Sequence, residues 1–327
     1  MIKILEDIFS LRSSYRSFGD YSATSLIDSP RRVQLYKRYS DQEVVTPKTQ
    51  FASMVGQAIH KEITDRLKIY SQTNGEYIVE AHIVHPITLN FPETTTEGGI
   101  LLPKKNTVVR LLSGQFDILH KERALHDIKT CKTWKVIFDP DKIEWTQQLN
   151  IYRWILSKKG ITVEELYIDA LFMDWQEGRT FQDARYPKTP QVEYPINVWP
   201  LEQTESFIKE RLAMHIGNEG RSDAELAACT KEEMWENDTE YGIFKDEQAK
   251  RATKVVKEGS LMDAISVARN LKGVGPDGYI ELRHGQRKRC DEWCGVNKFC
   301  NLYSEYCAGK DAAGNLRREK YPLKEVL

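Results

Sequence analysis

Two aspartates and a lysine in the segment GQFDILHKERALHDIKTCK have the types and spacing of a hydrolytic metal site. If the chain turns near Glu122, Asp117 and Asp127 fall opposite each other on neighbouring strands, since both are equally far from the turn. Directly opposed side chains have Cβ atoms about 4.5–5.5 Å apart, and like charges so placed cost roughly 0.2–1 kcal/mol. A hard divalent cation taking an oxygen from each carboxylate would remove that repulsion. Lys129 follows Asp127 by two residues and so shares its face of the strand. Such a set suits phosphodiester hydrolysis. The ion activates water and neutralises phosphate charge, while the lysine orients or deprotonates the water or stabilises the developing charge. The same residues would also serve as surface charges of a hairpin, with the aspartates paired to Lys129 or Arg123.

Other residues bear on this chemistry. His60, in GQAIHKEI, adjoins the apolar stripe of Ile59, Ile63 and Leu67, so its imidazole can reach inward from the edge of that face. As a neutral ligand it would admit Mn2+ as readily as Mg2+; otherwise it is a packed or hydrogen-bonded histidine. Gln148 and Tyr152 stand four apart on a predicted helix and share a face, placed to hold a phosphate or a base, or to form the polar rim of a core helix. Cys229, Cys290, Cys294, Cys300 and Cys307 gather toward the C-terminus, with Cys131 upstream. In a reducing compartment that spacing points to a metal rather than to disulfides, the alternative being reduced, buried thiols.

The elements that must carry these residues alternate between helix and strand. A helix is expected from Ser53 to Tyr70, a strand over 76–91 interrupted near Pro86, a loop through Gly98, Gly99 and Pro103, and then the hairpin TVVRLLSGQFDIL and ALHDIKT. A helix in DKIEWTQQLNIYRWILSKKG stops at Gly160, LYIDALFMDW and QVEYPINVW read as strands, and a helix follows Pro200 to about His215. This order predicts an α/β fold with a central mixed sheet flanked by helices and a helical C-terminal region carrying the cysteines. The divisions expected are an N-terminal helical segment over 1–50, a core over 51–216, a helical cysteine-bearing region over 217–307 and a mobile polar tail over 308–327.

Composition bounds the class. Across 327 residues, 47 Lys+Arg face 48 Asp+Glu, so any polyanion must be met by local basic patches. Arg31, Arg32, Lys37 and Arg38 form one, Arg283, Arg287, Lys288 and Arg289 another, and Trp134 and Lys135 stand just past the DIKT strand. Solvated charged faces are the plainer reading of such runs. The 10% aromatic content excludes a wholly disordered chain. No run approaches the roughly 18 apolar residues of a membrane span. The start, MIKILEDIFSLRSS, lacks a secretory pattern, so a soluble cytoplasmic protein without a membrane partner is expected.

Taken in order, GQAIH, GQFD, DIKT and QLNIY resemble the motifs of the RecB-type branch of the PD-(D/E)xK nucleases, which includes phage-type and CRISPR-associated RecB-like exonucleases. The resemblance covers about a third of the chain and implies a restriction-endonuclease-like fold. Carried over, it implies that His60, Asp117 and Asp127 bind Mg2+ or Mn2+ with the Ile128 carbonyl, that Lys129 is catalytic, and that Gln148 and Tyr152 lie near the DNA. Aspartate rather than glutamate precedes the lysine, a variation common in this branch.

RCDEWCGVNKFC is also similar to the cysteine motif of members that carry an iron-sulfur cluster. Its first spacing is one residue longer than usual, and Ser29 stands where such relatives place a cysteine before Pro-Arg. A fourth ligand would then come from Cys229 or Cys307, or the site would hold Zn2+. The function this implies is a metal-dependent DNA exonuclease acting in recombination or repair, with a recombination or single-strand-annealing protein as partner. The alternatives are a structure-specific endonuclease and a non-catalytic DNA-binding or assembly protein.

Overall fold

The described residues of the computed structural model are 18–43, 46–97, 100–121, 123–138, 142–257, 259–312 and 314–326. The chain divides into two compact units, Met1–Asp28 with Val45–Glu219, and Ser29–Val44 with Gly220–Leu327. It opens with β1 (Tyr21–Ser22), α1 (Ala23–Ile27) and α2 (Pro30–Tyr39), the last belonging to the second unit.

Within the first unit, α3 (Pro47–Asn74) is longer than its apolar period predicts, because its end signals lie outside that period. Thr46 and Thr49 form a reciprocal cap, Pro47 opens the first turn, and Gly75 closes the helix in the left-handed conformation with φ 60°. Ile59, Ile63 and Leu67 are only half-buried, whereas Thr64 is fully buried.

Two long strands follow, β2 (Tyr77–Glu97) and β3 (Ile100–His120), paired antiparallel from Tyr77↔His120 to Glu97↔Ile100. The strand runs through Pro86 without a break, and the segment expected as a loop is strand up to Glu97 and again from Ile100; Gly98 and Gly99 lie outside the described residues. Proline is tolerated because β2 pairs with β3 alone, so its missing N–H falls on a free edge. The ladder lapses at Glu80, which has a left-handed φ of 53°.

On its other side β3 pairs with β1 and with β4 (Ala124–Cys131). After α4 (Thr133–Phe138) and α5 (Ile143–Ser157), β5 (Glu165–Phe172) lies parallel to β4, and β6 (Gln191–Pro195) forms an antiparallel edge. The parallel pair needs a crossover, which α5 supplies. Leu125, Leu149, Ile151, Ile155 and Ile168 are wholly buried between helix and sheet. Leu166, Ile168, Ala170 and Phe172 alternate inward along β5, as a half-buried strand requires. The unit closes with α6 (Leu201–Ile216), whose Arg211 donates to the Leu26, Ile27 and Asp28 carbonyls. The fold is thus mixed α/β, a central mixed sheet flanked by helices.

In the second unit the order is α7 (Lys231–Met234), β7 (Glu240–Phe244), β8 (Lys254–Lys257), α8 (Leu261–Arg269) and β9 (Tyr279–Arg283). Then come α9 (Lys288–Glu292), α10 (Asn301–Ala308), β10 (Glu319–Pro322) and α11 (Leu323–Val326). The cysteines sit among short helices, as expected. A four-stranded sheet ordered β10-β9-β7-β8 accompanies them, with Ile243, Ala264, Ile265, Ala268, Ile280 and Leu323 as its core. Strands of four or five residues are too short to show a period. The segment expected as a mobile tail holds β10, paired to β9, and the buried Leu323. Among the described residues no helix is long and apolar enough to cross a membrane.

Candidate active site

The register of the β3–β4 hairpin places the acidic pair. Its pairs Ile118↔His126, Leu119↔Leu125 and His120↔Ala124, continued by one step, set Asp117 opposite Asp127. The backbone ladder stops there. Instead, Asp117 Oδ2 accepts from the Ile128 N–H at 2.7 Å, which turns its other oxygen toward α3. There His60 Nε2 lies 2.9 Å from Asp117 Oδ1, and His60 Nδ1 lies 3.5 Å from Glu80 Oε1. Glu80 in turn pairs with Lys68.

Asp127 faces a different set of partners. Its Oδ2 is 2.7 Å from Lys129 Nζ, and Lys129 also donates to Gln148 Oε1 at 3.1 Å. The Gln148 amide donates to Asp127 Oδ1 at 3.2 Å and to the Tyr152 hydroxyl at 2.9 Å. His60, Asp117, Asp127, Ile128, Lys129, Gln148 and Tyr152 therefore converge. Each carboxylate thus has its own partner: a histidine from α3 for one, a lysine from its own strand for the other.

Two glycines allow this closeness. A Cβ on Gly114 would collide with the Tyr152 ring, and one on Gly56 would come within 2.9 Å of Thr130 Oγ1. Gly114 lets α5 lay Tyr152 across β3, and Gly56 lets α3 approach β4. The cleft so formed has a volume of about 630 Å³ and is lined by Gly56, His60, Lys68, Glu80, Ile128 and Lys129 among others.

Burial sets the electrostatics. It pushes the Asp127 carboxyl up to about 6, against the lowering effect of the Lys129 ammonium and with a further rise from Asp117. Burial works to lower the Lys129 pKa, but Asp127 and Asp117 outweigh it and hold the group above its ordinary value as an ammonium. His60 is raised chiefly by its hydrogen bond to Asp117, with burial opposing.

Two of these donors stand at the spacing of neighbouring ligands on a hard divalent ion. Cis ligands about 2.1 Å from an octahedral cation lie about 3.0 Å apart, and His60 Nε2 and Asp117 Oδ1 are 2.9 Å apart. Asp127 Oδ2 is buried and accepts no aligned hydrogen bond although the Lys129 ammonium is close, so it retains a lone pair for a cation.

Glu80 escapes the sequence reading. In an alternating strand it is one more outward polar residue, and only the left-handed turn of its backbone, which costs about 1–3 kcal/mol in a non-glycine residue, directs it at His60. A second cluster also went unread. His126 Nδ1 lies 3.3 Å from Asp169 Oδ2 and 3.7 Å from Glu193 Oε2, on three adjacent strands. Asp169 and Glu193 are directly paired across β5 and β6, a register that only the fold reveals.

The basic patches are largely committed within the chain. Arg31, 2% exposed, donates to the Ala227 and Asp223 carbonyls and to Asn301 Oδ1. Arg32 lies over the Tyr36 ring, and Arg38 pairs with Asp223. Arg283 pairs with Glu281, Arg287 with Glu236, and Arg289 reaches the Glu233 carbonyl. Trp134 is 54% exposed. Of the cysteines, Cys131 belongs to the first unit, its thiol raised to about 11 by burial. Cys229, Cys290, Cys294 and Cys300 lie in the second unit close enough to influence one another, while Cys307 partners Tyr303.

No model of a known protein family and no curated protein matches the chain. Solved structures similar to it include SSO0001, at 18% identity and a TM-score of 0.37 over 70% of this chain and 90% of that one. They also include an alkaline exonuclease (LHK-Exo) from Laribacter hongkongensis, at 13% identity and a TM-score of 0.33 over 60% of this chain and 87% of that one. The same exonuclease in complex with dAMP gives 13% and 0.33 over 60% and 88%. Likeness this slight transfers no function.

Proposed function

We propose that the first unit is a divalent-metal-dependent nuclease that hydrolyses DNA phosphodiester bonds, acting at ends as an exonuclease. What supports this is the convergence of His60, Asp117 and Asp127 with the ammonium of Lys129, beside a cleft lined by His60, Ile128 and Lys129. His60 Nε2, Asp117 Oδ1, Asp127 Oδ2 and the Ile128 carbonyl would hold Mg2+ or Mn2+. When bound, such an ion lowers the pKa of water and neutralises phosphate charge. As an ammonium, Lys129 is a donor rather than a base, so it orients the attacking water and stabilises charge on the phosphoryl oxygens. Gln148 fixes Lys129 and Asp127 at once, and Tyr152 fixes Gln148, so these two are positioning residues. The exposed Trp134, just past β4, offers a ring on which a base can stack.

The test is purified protein with Mg2+ or Mn2+ on end-labelled linear DNA and on covalently closed circular DNA. Loss of label from the linear substrate with the circle intact is the expected result. Nicking of the circle would replace end-directed action with an endonuclease, and binding without cleavage of either would replace the enzyme with a DNA-binding protein.

A further inference from the structure

Three adjacent strands of the first unit bring one imidazole and two carboxylates to a point. β5 lies between β4 and β6 in the sheet. Along β5 the residues Leu166, Ile168, Ala170 and Phe172 are buried, so Tyr167 and Asp169 share the opposite face. Asp169 is the direct antiparallel partner of Glu193 on β6, and Tyr167 is the partner of His126 on β4. Alternation along β4 sends His126 to the face opposite Asp127 and Lys129. His126, Asp169 and Glu193 are also absent from the lining of the cleft beside His60.

Their spacing is that of ligands rather than of a hydrogen bond. His126 Nδ1 lies 3.3 Å from Asp169 Oδ2 and 3.7 Å from Glu193 Oε2, without an aligned hydrogen bond to either. The three ligand atoms all lie within 4.8 Å of one another. Ligands about 2.0–2.1 Å from a tetrahedral zinc ion stand about 3.3–3.4 Å apart. The His126–Asp169 distance already has this value, and a small turn of Glu193, whose side chain is 55% exposed, supplies the other. Carboxylates directly opposed on adjacent strands repel. Among the described residues His126 is the one ion-pair partner of both Asp169 and Glu193. A neutral imidazole leaves their repulsion in place, whereas a cation seated between the three removes it. The Tyr167 ring stacks on His126 at 4.9 Å and donates its hydroxyl to Glu165 at 2.8 Å, which fixes the imidazole plane.

We propose that His126, Asp169 and Glu193 form a surface-facing cation site that takes Zn2+, with water as the fourth ligand. The nitrogen donor disfavours Mg2+ and Ca2+, and the two carboxylates disfavour ions that select sulfur. Zn2+ accepts nitrogen and oxygen together in a tetrahedral array. The neutral imidazole binds through Nδ1 and keeps its proton on Nε2. Bound there, the ion cross-links β4 to β6 across β5, pinning the edge strand to the strand that carries Asp127 and Lys129. Nothing in this site depends on the cleft being a nuclease, and no DNA enters its test.

The test is zinc titration of the metal-stripped full chain, following the imidazole nitrogens by NMR and counting bound zinc by equilibrium dialysis at micromolar zinc. Because the cysteines and the cleft can also take zinc, the count is read as a difference between wild type and variant. His126 Nδ1 should move to the position of a coordinated nitrogen, its signal identified by its absence in His126→Gln, and that variant should bind one zinc fewer than wild type. Glu193→Gln alters an exposed edge residue and keeps its shape, so it should fold as wild type does and weaken the His126 response by at least about tenfold. A His126 nitrogen that does not move, or moves only at millimolar zinc, would overturn the proposal and leave an ion-pair cluster. A Glu193→Gln variant whose His126 responds as tightly as that of wild type would do the same.

Discussion

The cleft of the first unit and the thiol cluster of the second collect residues from distant parts of the chain by opposite means. In the cleft, strand register does the placing. Asp117, Asp127 and Lys129 are fixed by the β3–β4 hairpin, and every member already has an internal partner. In the cluster, loops do the placing, held by the hydrogen bonds of Arg31 and Asn297. The cleft is therefore preorganised by side-chain partners of opposite charge, whereas the cluster rests on a few hydrogen bonds between loops.

The sharpest way to break this comparison is to remove one carboxylate. Asp117→Ala or Asp127→Ala should lower metal-dependent cleavage of linear DNA by about 10²–10³-fold or more, comparable to losing a major electrostatic contact at a transition state. Cleavage that survives either change would remove the cleft from the chemistry. Next, removing divalent cations with a chelator should abolish cleavage with little change in melting temperature, because the members of the cleft already have internal partners. A fall of more than about 5 °C in calorimetry would contradict that preorganisation.

Arg31→Ala should destabilise by about 3 kcal/mol in chemical denaturation, because it strands three carbonyls in a buried place. Gly114→Ala should cost about 1–3 kcal/mol by overpacking Tyr152 and should slow cleavage about tenfold through the displaced Gln148. Smallest is Arg123→Gly. Arg123 has a φ of 74° in the hairpin turn and only an exposed pair with Glu164, so glycine should stabilise by about 0.5 kcal/mol and leave cleavage unchanged.

Much of the cleft is legible in the sequence because it depends on short periods. Two-residue alternation joins Asp127 to Lys129, the symmetric distance from the turn sets Asp117 opposite, and helical spacing joins Gln148 to Tyr152. The order of helices and strands in the first unit is legible for the same reason, as is the stop at Gly160. Glu80 was hidden because its role depends on one backbone angle, and Gly114 because its need is set by a ring on a later helix. The path of β2 and β3 through Pro86 and Pro103 was hidden because a free edge, which excuses proline, is a property of the whole sheet. The commitment of Arg31 to carbonyls nearly two hundred residues away lies beyond any local pattern, so a run of basic residues looked like a surface. The small sheet of the second unit failed for brevity, each strand being shorter than the pattern that would announce it.

The central claim is that the Asp117–Asp127–Lys129 cleft breaks phosphodiester bonds. It is tested most directly by comparing wild type with Lys129→Ala, matched for melting temperature, for Mn2+- or Mg2+-dependent release of nucleotides from linear duplex DNA. The wild type should degrade the DNA and the variant should lose about 10²–10³-fold of the rate while still binding the metal. A wild type that binds DNA but cuts nothing with either ion, or a variant as fast as wild type, would contradict the account.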